Sequence, residues 1–319
     1  MKRKKILILG ASGFIGKNMA IYFSKKKNFI VSGTYLNKKT KIKKVKMFKC
    51  DLTKKNETDR VIKGSDIIIQ AAATTSGAKD ILEKPYIHVN DNAIINSMVT
   101  RSAFDNKINH VIVFSCSVMY QSSKKPLKEK DFNPSLNIYL NYFGAGWMKV
   151  FVEKMCEFYA RLGRNKYTLV RHSNTYGPRD KFDLAKSHVL AATINKVVNC
   201  KNSKVLIWGD GKEERDLLFI DDLINFVYLA IKYQKKSYEL YNVGSGKLIS
   251  INKLANKIIR IFGKKITAIN DTSKRTLKTY VCLNSSKAKK ELKWFPKTSL
   301  EKGIKITIDW YLKNKNILR

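Results

Sequence analysis

The stretch Ile6-Leu7-Ile8-Leu9-Gly10-Ala11-Ser12-Gly13-Phe14-Ile15-Gly16 decides the fold of this chain. A short apolar run leads directly into a turn with three spaced glycines, and a helix-like segment follows. Gly10 and Gly13 let the backbone turn tightly against a diphosphate, and Gly16 lets the helix pack close to a sheet. The order of strand, glycine turn and helix predicts a dinucleotide-binding unit, with ordinary turn glycines as the alternative. The residues expected to contact the cofactor here are Gly10, Ser12, Gly13, Phe14, Ile15 and Gly16.

Short apolar runs alternate with helical segments well beyond this first unit. The strands predicted from these runs lie at residues 29–34, 45–49, 66–70, 110–115 and 167–171, with long helices at 90–104 and 141–162. Strands that alternate with helices indicate a parallel sheet covered on both faces. We therefore predict an α/β fold with a Rossmann-type doubly wound parallel sheet.

After Pro178 the alternation loosens. The elements predicted there are a helix at 187–199, strands at 204–208, 215–219 and 240–243, and a helix from 222. We expect residues 1–178, with part of 204–245 interwoven, to form the dinucleotide-binding domain. Residues 179–319 are expected to form mainly a smaller α/β region that binds the substrate.

The composition favours a soluble cytoplasmic protein. The chain has 319 residues, which suits one large α/β unit with a smaller appended region. No apolar stretch approaches the ~18 residues needed to span a bilayer. The cysteines are odd in number and lack C-x-x-C spacing, so we expect reduced thiols and no metal site. They are Cys50, Cys116, Cys156, Cys200 and Cys282.

The net charge of +38 is extreme for a chain of this size. Nucleic-acid binding or attachment to an anionic membrane would explain such a charge. The lysines are spread over the whole chain and their dense clusters lack interleaved aromatic residues, so we favour a solvated Lys-rich surface and expect no nucleic-acid partner. Such a surface would attract anionic small molecules.

The end of the second predicted strand, residues 33–39, carries no acid. An acid there favours the ribose hydroxyl of NAD, and a base favours the 2′-phosphate of NADP. Lys38 or Lys39 could hold this phosphate, so the sequence favours NADP over NAD. The alternative is that both lysines are only surface charge.

Two further segments follow predicted strands on the cofactor side. Asp51 and Leu52 come after the third strand, where a carboxylate can lie near the adenine amine. After the fourth strand, small side chains let the backbone pass close to a cofactor, although small residues also fill tight packing. These small residues are Ala71, Ala72 and Ala73.

Several motifs recur in a characteristic order along nearly the whole chain. They are Gly10-x-x-Gly13-x-x-Gly16, Asp51-Leu52, Ala71-Ala72-Ala73, Ser115-Cys116-Ser117-Val118-Met119-Tyr120, Tyr142, Asn174-Thr175-Tyr176-Gly177-Pro178 and Arg215-Asp216-x-x-x-x-Asp221-Asp222. This set resembles the extended short-chain dehydrogenases, the NAD-dependent epimerase/dehydratase family. Residues 186–189 and 205–209 are similar to the substrate region of the GDP-L-fucose synthase branch. The resemblance implies hydride transfer between a nicotinamide and a sugar carbon.

The resemblance also implies a tyrosine as acid or base, and Tyr142 in the long predicted helix matches that position. A phenol with a pKa of about 10 is a poor base at neutral pH unless a cation stabilises the phenolate. The family places a lysine four residues later, but this chain has Gly146. Lys149 shares a helical face with Tyr142 at ~10 Å along the axis, and the sequence favours a solvated Lys149. The nicotinamide or another cation could substitute, and a core or interface position is the alternative for Tyr142.

The group that fixes the reacting oxygen in the family is a Ser or Thr four residues before Tyr120. That position holds Cys116, a weaker hydrogen-bond donor, so Ser117 is the alternative oxygen anchor. The resemblance implies a Cys/His pair for epimerisation, and His188 matches the histidine. The matching cysteine position is Val118, which leaves Cys116 with His188 as a substitute pair. A surface or helix-start histidine is the alternative for His188.

Four positions are candidates on the nicotinamide and substrate side. His172 directly follows a strand and could replace a missing donor near the nicotinamide, or it could be structural. Asn174 could bond the sugar or the loop backbone. The resemblance places Trp208 and Arg215 where the family binds base and diphosphate. An ion pair with the aspartates that follow is the alternative for Arg215.

These residues together predict an NAD(P)-dependent 4-keto-sugar reductase, epimerase or dehydratase that acts on a nucleotide-linked sugar in surface-glycan precursor synthesis. The resemblance favours a GDP-linked substrate and a homodimer formed through helices 90–104 and 141–162. The alternative is a catalytically impaired protein that binds the dinucleotide and sugar nucleotide but lacks the usual lysine. A basic scaffold on membrane or nucleic acid is the remaining possibility.

Overall fold

The computed structural model describes residues 3–75, 77–184 and 186–317, so the outermost positions of the two predicted domains lie outside the described residues. The strands are β1 (Lys4–Leu9), β2 (Phe29–Tyr35), β3 (Val45–Lys49), β4 (Ile67–Gln70), β5 (His110–Phe114), β6 (Ser123–Leu127), β7 (Lys166–His172), β8 (Asn174–Tyr176), β9 (Lys204–Trp208), β10 (Glu214–Phe219), β11 (Tyr238–Val243), β12 (Leu248–Ser250), β13 (Thr267–Asp271) and β14 (Val281–Leu283). The helices are α1 (Phe14–Phe23), α2 (Lys55–Ile62), α3 (Ala78–Glu83), α4 (Asn90–Asp105), α5 (Phe143–Arg161), α6 (Val189–Val198), α7 (Ile220–Tyr233), α8 (Ile251–Phe262), α9 (Ser286–Leu292) and α10 (Leu300–Asn314). Short 3₁₀ turns lie at Pro85–His88, Glu129–Asp131, Leu140–Tyr142 and Lys315–Ile317.

Within the described ranges, seven parallel strands form the central sheet in the order β11-β7-β5-β4-β1-β2-β3. The middle strands are apolar because helices cover both faces, and β4 is buried along its whole length. The strand order reverses between β1 and β4. Ligands of open parallel sheets bind at the carboxyl ends of the strands beside such a reversal. A binding crevice is therefore expected where β1 runs into Gly10.

Alternate residues of β1 show the two layers of helices. Ile6 and Ile8 belong to the cluster that includes buried residues of α1 and α7, whereas Leu7 and Leu9 belong to the cluster with α4 and α5. All four side chains are fully buried. The sheet is thus covered on both faces, as the doubly wound prediction requires.

The C-terminal part of the chain builds three small sheets within the described residues: β12-β10-β8, β13-β9 and β14-β6. Helices α6, α8 and α10 pack beside them, and Phe182 stacks on Tyr311 of α10 with ring centroids 4.5 Å apart. Strand β11 returns to the edge of the central sheet beside β7. The sheets of the C-terminal part therefore lie next to the carboxyl ends of the central strands.

The predicted Rossmann-type fold is confirmed, and the predicted strands agree with the observed bounds to within one or two residues. The predicted helix at 141–162 begins later, because Leu140–Tyr142 forms a 3₁₀ turn and α5 begins at Phe143. Short strands such as β8, β12 and β14 escaped prediction because three residues carry too little periodicity. No helix in the described ranges is long and apolar enough to cross a membrane.

Candidate functional site

The glycine turn after β1 has the geometry of a phosphate-binding loop. Gly10 has φ +73°, in the left-handed region that favours glycine. Its amide donates to Thr34 Oγ1 at 3.0 Å, and the Gly13 amide donates to the Gly10 carbonyl oxygen at 3.0 Å. A Cβ on Gly16 would lie 2.2 Å from that carbonyl oxygen. The turn therefore requires glycine at positions 10 and 16 and holds α1 against β1.

Helix α1 offers an open N terminus at this turn. Its N-cap, Gly13, makes no side-chain bond, and its first turn contains no acid. The first amides and the positive end of the helix dipole are therefore free to meet an anion. A Cβ on Gly10 would lie 2.7 Å from the Cα of Ala72, so residues 71–73 pass directly beside the turn. The other predicted cofactor residues of this turn are half-buried: Ser12, Phe14 and Ile15.

Three cations gather at the first turn of α1. Lys38 is exposed just after β2, and Lys17 follows Gly16 on α1. Arg179 reaches the same place from the loop after β8, where its Nη1 donates to Asn18 Oδ1 at 3.0 Å. Burial first, then the charges of Arg179 and Lys38, lower the pKa of Lys17. Lys17 and Arg179 were not predicted from the sequence, although each directly follows a recognised motif.

Asp51 directs its carboxylate into its own turn. Oδ1 accepts hydrogen bonds from the Thr53 hydroxyl at 2.7 Å and the Thr53 amide at 3.0 Å, and these bonds hold the pKa of Asp51 below its ordinary value. Leu52 beside it is buried. Asp51 therefore shapes the turn before α2, and its contact with adenine stays a prediction.

Cys116 and Ser117 lie in the loop directly after β5, and both are half-buried. Burial raises the pKa of the Cys116 thiol, and the charge of Lys149 opposes that effect. The carbonyl of Ser117 accepts a hydrogen bond from the Tyr120 amide at 3.2 Å. The loop thus presents a neutral thiol beside a hydroxyl at the carboxyl end of the sheet.

The sequence predicts that Tyr142 lies within the long helix. In the structure it is the N-cap residue of α5 and lies just outside that helix. Its half-buried ring packs against the cluster of Met119 and Ile138. Burial raises the pKa of the phenol, and the Arg215 guanidinium opposes that effect. Cys116 also raises the pKa of the phenol, so the two side chains lie close enough to belong to one site. The cation whose field lowers the pKa of Tyr142 is therefore Arg215.

Gly146 and Lys149 depart from the arrangement that the resemblance implies, in which a lysine stands at position 146. A Cβ at Gly146 would lie 3.0 Å from the Ile138 side chain and 3.4 Å from the Met119 backbone, so no lysine fits there without rearrangement. Lys149 is half-buried, and its Nζ donates to the Phe114 carbonyl oxygen at 2.9 Å. Lys149 is thus directed to the end of β5 and is not the solvated side chain that the sequence favoured.

Two histidines border the same crevice. His172 ends β7, and its Nδ1 donates to the Ser173 carbonyl at 2.8 Å. Burial, followed by the charges of Lys149 and His188, lowers the pKa of His172 to about 4. His188 is the exposed N-cap residue of α6. The imidazole of His172 is therefore neutral near pH 7 and lies within range of the charges of Lys149 and His188.

Arg215, Asn174 and Trp208, the predicted substrate residues, lie on the small sheets, on β10, β8 and β9 respectively. Arg215 donates to the carbonyl oxygens of Leu277 at 2.7 Å and Thr279 at 2.9 Å. Asn174 is exposed, and its Nδ2 donates to the Asp216 carbonyl at 3.3 Å. Trp208 is partly exposed, with Lys196 Nζ 5.3 Å from the centre of its ring.

A cavity of about 490 Å³ lies beside these residues. It is bordered by Asn141, next to Tyr142, and by Gly209, next to Trp208. Lys274, Arg275 and Lys278 also line it. In the described ranges, no group of three His, Cys, Asp or Glu residues is placed to hold a metal ion. The arrangement suits an anionic organic ligand better than a metal.

Comparison with known proteins agrees with this geometry. Residues 6–244 match the model of the NAD dependent epimerase/dehydratase family. The chain is 28% identical to GDP-L-colitose synthase of Yersinia pseudotuberculosis, over 98% of this chain and 99% of the relative. It is 30% identical to GDP-L-fucose synthase of Sinorhizobium fredii, over 83% of this chain and 86% of the relative.

Solved structures show the same fold. The crystal structure of a Thermotoga maritima UDP-glucose 4-epimerase with UDP-glucose superposes with a TM-score of 0.86 at 22% identity, covering 98% of this chain and 99% of that one. The Bifidobacterium longum UDP-glucose 4-epimerase in complex with NAD⁺ and UDP gives a TM-score of 0.83 at 18% identity, covering 98% and 99%.

Proposed function

Because this chain belongs to the NAD dependent epimerase/dehydratase family, we propose that it transfers a hydride between NAD(P) and the sugar of a nucleotide-linked substrate. As a member it is an NAD(P)-dependent enzyme of the extended short-chain dehydrogenase type. The single observation that carries the proposal is a shared edge of one sheet. The open turn at Gly10–Gly16 and a cluster of Cys116, Tyr142, Lys149 and His172 both lie at the carboxyl ends of its strands, where a binding crevice is expected in this fold.

The residues of this cluster differ in their chemistry, and each therefore has a different proposed role. A bound NAD(P)H would supply the hydride. Tyr142 would donate the proton to the sugar oxygen as the hydride arrives at its carbon, which balances the reduction of a ketone to an alcohol. Cys116 or Ser117 would hold that oxygen, and Arg215 would turn from its backbone partners to the substrate diphosphate.

NADP is the proposed preference over NAD. The cations Lys17, Lys38 and Arg179 gather at the first turn of α1, near the end of β2 where the adenosine ribose lies in this fold. A 2′-phosphate adds charge that three cations would stabilise. The names of the relatives support a GDP-linked sugar. We further propose a role in surface-glycan precursor synthesis, in which His188 would serve an epimerisation.

The oligomeric state belongs to the same proposal. Exposed apolar side chains recur along α5 at Phe143, Phe151, Phe158 and Leu162, and they favour a homodimer through α4 and α5. We place the enzyme in the cytoplasm, where its five free thiols would stay reduced.

A second candidate function is a protein that binds dinucleotide and sugar nucleotide without turnover. The observation that favours it is the departure at Gly146, where a lysine would require Ile138 to shift, together with the thiol at Cys116. In that case Lys149 would serve only to join α5 to β5.

The experiment measures binding and turnover separately. Protein fluorescence is titrated with NADPH and NADH, and turnover is followed by absorbance with 4-keto sugars linked to GDP, CDP, UDP or dTDP. We expect saturable NADPH binding and turnover that is fastest with a GDP sugar. Tyr142→Phe should lower kcat by about 10²-fold or more while leaving NADPH binding intact, because only proton transfer is lost.

The matched control is Tyr139→Phe, since Tyr139 packs edge-on against Tyr142 with ring centroids 5.7 Å apart. Equal loss in both variants would argue that Tyr142 only packs. Tight NADPH binding without turnover on any sugar would favour the second candidate. An absence of saturable binding by either coenzyme would overturn the proposal altogether.

A further inference from the structure

A buried ion pair lies beneath the crevice. Arg171 on β7 donates to both oxygens of Glu153 on α5, with Nε to Oε1 at 2.9 Å and Nη2 to Oε2 at 2.7 Å. Each residue is only 4% exposed. Removing two charges from water is costly, and apolar residues of similar size often stabilise a protein as well or better. Fold stability alone is therefore a weak explanation for this pair.

Both ends of the loop that carries Cys116 are bonded to the pair. At one end, the Ser115 hydroxyl donates to Glu153 Oε1 at 2.6 Å. At the other end, Arg171 Nη1 donates to the Tyr120 hydroxyl at 2.8 Å, and the guanidinium lies 5.0 Å from the centre of that ring. The loop therefore spans two anchors that belong to one buried pair.

The hydrogen-bond network around this pair extends to β11 and along α5. The Tyr120 hydroxyl donates to Asn242 Oδ1 on β11 at 2.8 Å, which joins three strands of the central sheet. On α5, Lys149 lies one turn before Glu153, and its Nζ donates to the Phe114 carbonyl, directly before Ser115. Two bonds one turn apart thus hold α5 to the end of β5, and both meet the loop at its first residues.

We propose that the Glu153–Arg171 pair is a positioning device that holds the loop of residues 115–120, and with it Cys116 and Ser117, at the reacting oxygen. This proposal rests on the proposed function for its catalytic consequence. Its structural content is independent, because Glu153 and Arg171 contact the loop and not the crevice. The pair acts through Ser115 and Tyr120, and it takes no part in proton or hydride transfer itself.

The thiols of this chain supply a test that needs no substrate. Cys116 and Cys200 are half-buried, whereas Cys50, Cys156 and Cys282 are buried. Alkylation by iodoacetamide is followed at each cysteine by mass spectrometry in the full-length protein. In Ser115→Ala, the rate at Cys116 should rise about fivefold, the effect of losing one ordinary hydrogen bond that keeps the loop closed. The rate at Cys200 should not change.

The matched control is Ser102→Ala. Ser102 is also a buried serine that donates to a carboxylate, that of Asp59, but it lies on α4 outside the network. This variant should leave the Cys116 rate unchanged. Glu153→Gln keeps an acceptor for Ser115 but leaves the buried Arg171 charge without its counter-ion, so both anchors of the loop should loosen and the Cys116 rate should rise at least as much as in Ser115→Ala. Ser115→Thr, which keeps the hydroxyl, should restore the slow rate.

Turnover gives the second readout. We expect Ser115→Ala to lower kcat by about tenfold or more, with the KM of the nucleotide sugar and the binding of NADPH little changed, because a small misplacement of a reacting group is costly. A rise in alkylation at all the buried cysteines would show general loosening and would overturn a positioning role. So would an unchanged Cys116 rate in Ser115→Ala.

The two proposals can fail separately. If the wild-type protein turns over no sugar but Cys116 responds as expected, the proposed function fails and the loop anchor stands. If turnover is observed and Ser115→Ala keeps the wild-type kcat, the anchor fails and the proposed function stands.

Discussion

At the scale of single residues, Lys149 shows how position along a helix and position in space can differ. The sequence places it two turns beyond Tyr142, which suggested a solvated side chain. In the structure its Nζ donates to the Phe114 carbonyl oxygen at 2.9 Å, and its charge affects the pKa values of Cys116 and His172. The sequence could not show this, because the contact joins residues 35 positions apart. Lys149 is therefore directed to the carboxyl end of β5.

Replacing Lys149 by Met should change the protonation of its neighbours. Removal of a positive charge stabilises the imidazolium, so the pKa of His172 should rise from about 4, yet stay below 6.5 because burial remains its largest cause. Titration of the ring by NMR measures this shift, and kcat should fall by about 10²-fold. The control is Lys154→Met on the same helix, whose exposed side chain pairs with Glu157. Identical behaviour of the two variants would contradict a role for Lys149 in the site.

Asp180 provides a prediction about stability and pH. Its side chain is buried, Oδ2 has no hydrogen-bond partner, and burial raises its pKa to about 7 from the ordinary value of 3.8. The folded state therefore holds a proton that the unfolded state has lost between pH 3.8 and 7. This contribution is fully present below pH 3.8, and it is lost as the pH rises through about 7.

Asp180→Asn should consequently raise the free energy of unfolding at pH 8 by about 1 kcal/mol or more, since each pKa unit corresponds to about 1.4 kcal/mol. The gain should shrink strongly near pH 4, because Asp180 becomes protonated in the unfolded chain as well as in the folded one below pH 3.8. Urea denaturation at the two pH values measures it. The exposed Asp309→Asn is the control and should change stability little at pH 8. A gain of equal size at pH 4 would contradict the explanation.

At the scale of elements, the turn between β1 and α1 was the part most open to prediction. Glycine spacing after an apolar run has a local cause, because a positive φ and close backbone contacts admit no side chain. The start of α5 was less predictable. Tyr142 continues an apolar helical pattern, yet its ψ of 0° and the 3₁₀ turn before it place it outside the helix. Packing of the loop at residues 138–142 decides that boundary.

Gly16→Ala tests the turn against a neighbouring glycine. The added Cβ would lie 2.2 Å from the Gly10 carbonyl oxygen, so we expect a loss of about 1–3 kcal/mol in unfolding free energy and weaker NADPH binding. At Gly13 the nearest atom lies at 3.4 Å and φ is −81°, which alanine adopts readily. Gly13→Ala should therefore leave thermal stability close to the wild type. Equal destabilisation by both would contradict this account of the turn.

The exposed face of α5 predicts a change in oligomeric state. Phe151 and Phe158 are 51% and 56% exposed, and they lie seven residues apart on one face. Phe151→Lys combined with Phe158→Lys should convert a dimer into a monomer, because charges would replace the buried apolar contact. Light scattering after size exclusion measures the mass. Phe295→Lys, 50% exposed and outside α4 and α5, is the control. A wild-type protein that is monomeric at micromolar concentration would contradict the proposed dimer.

At the scale of the whole molecule, the net charge of +38 would attract an anionic ligand such as the proposed nucleotide sugar. Such a field raises the rate of encounter with a nucleotide sugar and is screened by salt. We expect kcat/KM to fall about tenfold between low salt and ~0.2 M NaCl, with kcat at saturating substrate nearly constant. Steady-state kinetics at several salt concentrations measure both quantities. A parallel fall in kcat would indicate an effect on the reaction itself.

The sequence by itself determined the doubly wound sheet and the turn for the dinucleotide. Both follow from local causes: apolar runs long enough to be buried on both faces, and glycines that the backbone requires. The hydrogen bonds between distant side chains became known only from the tertiary structure. Arg179 joins α1 through Asn18, 161 positions away, and Tyr120 bonds Asn242 across 122 positions. Such distances depend on how whole elements pack, and no local pattern of residues records them.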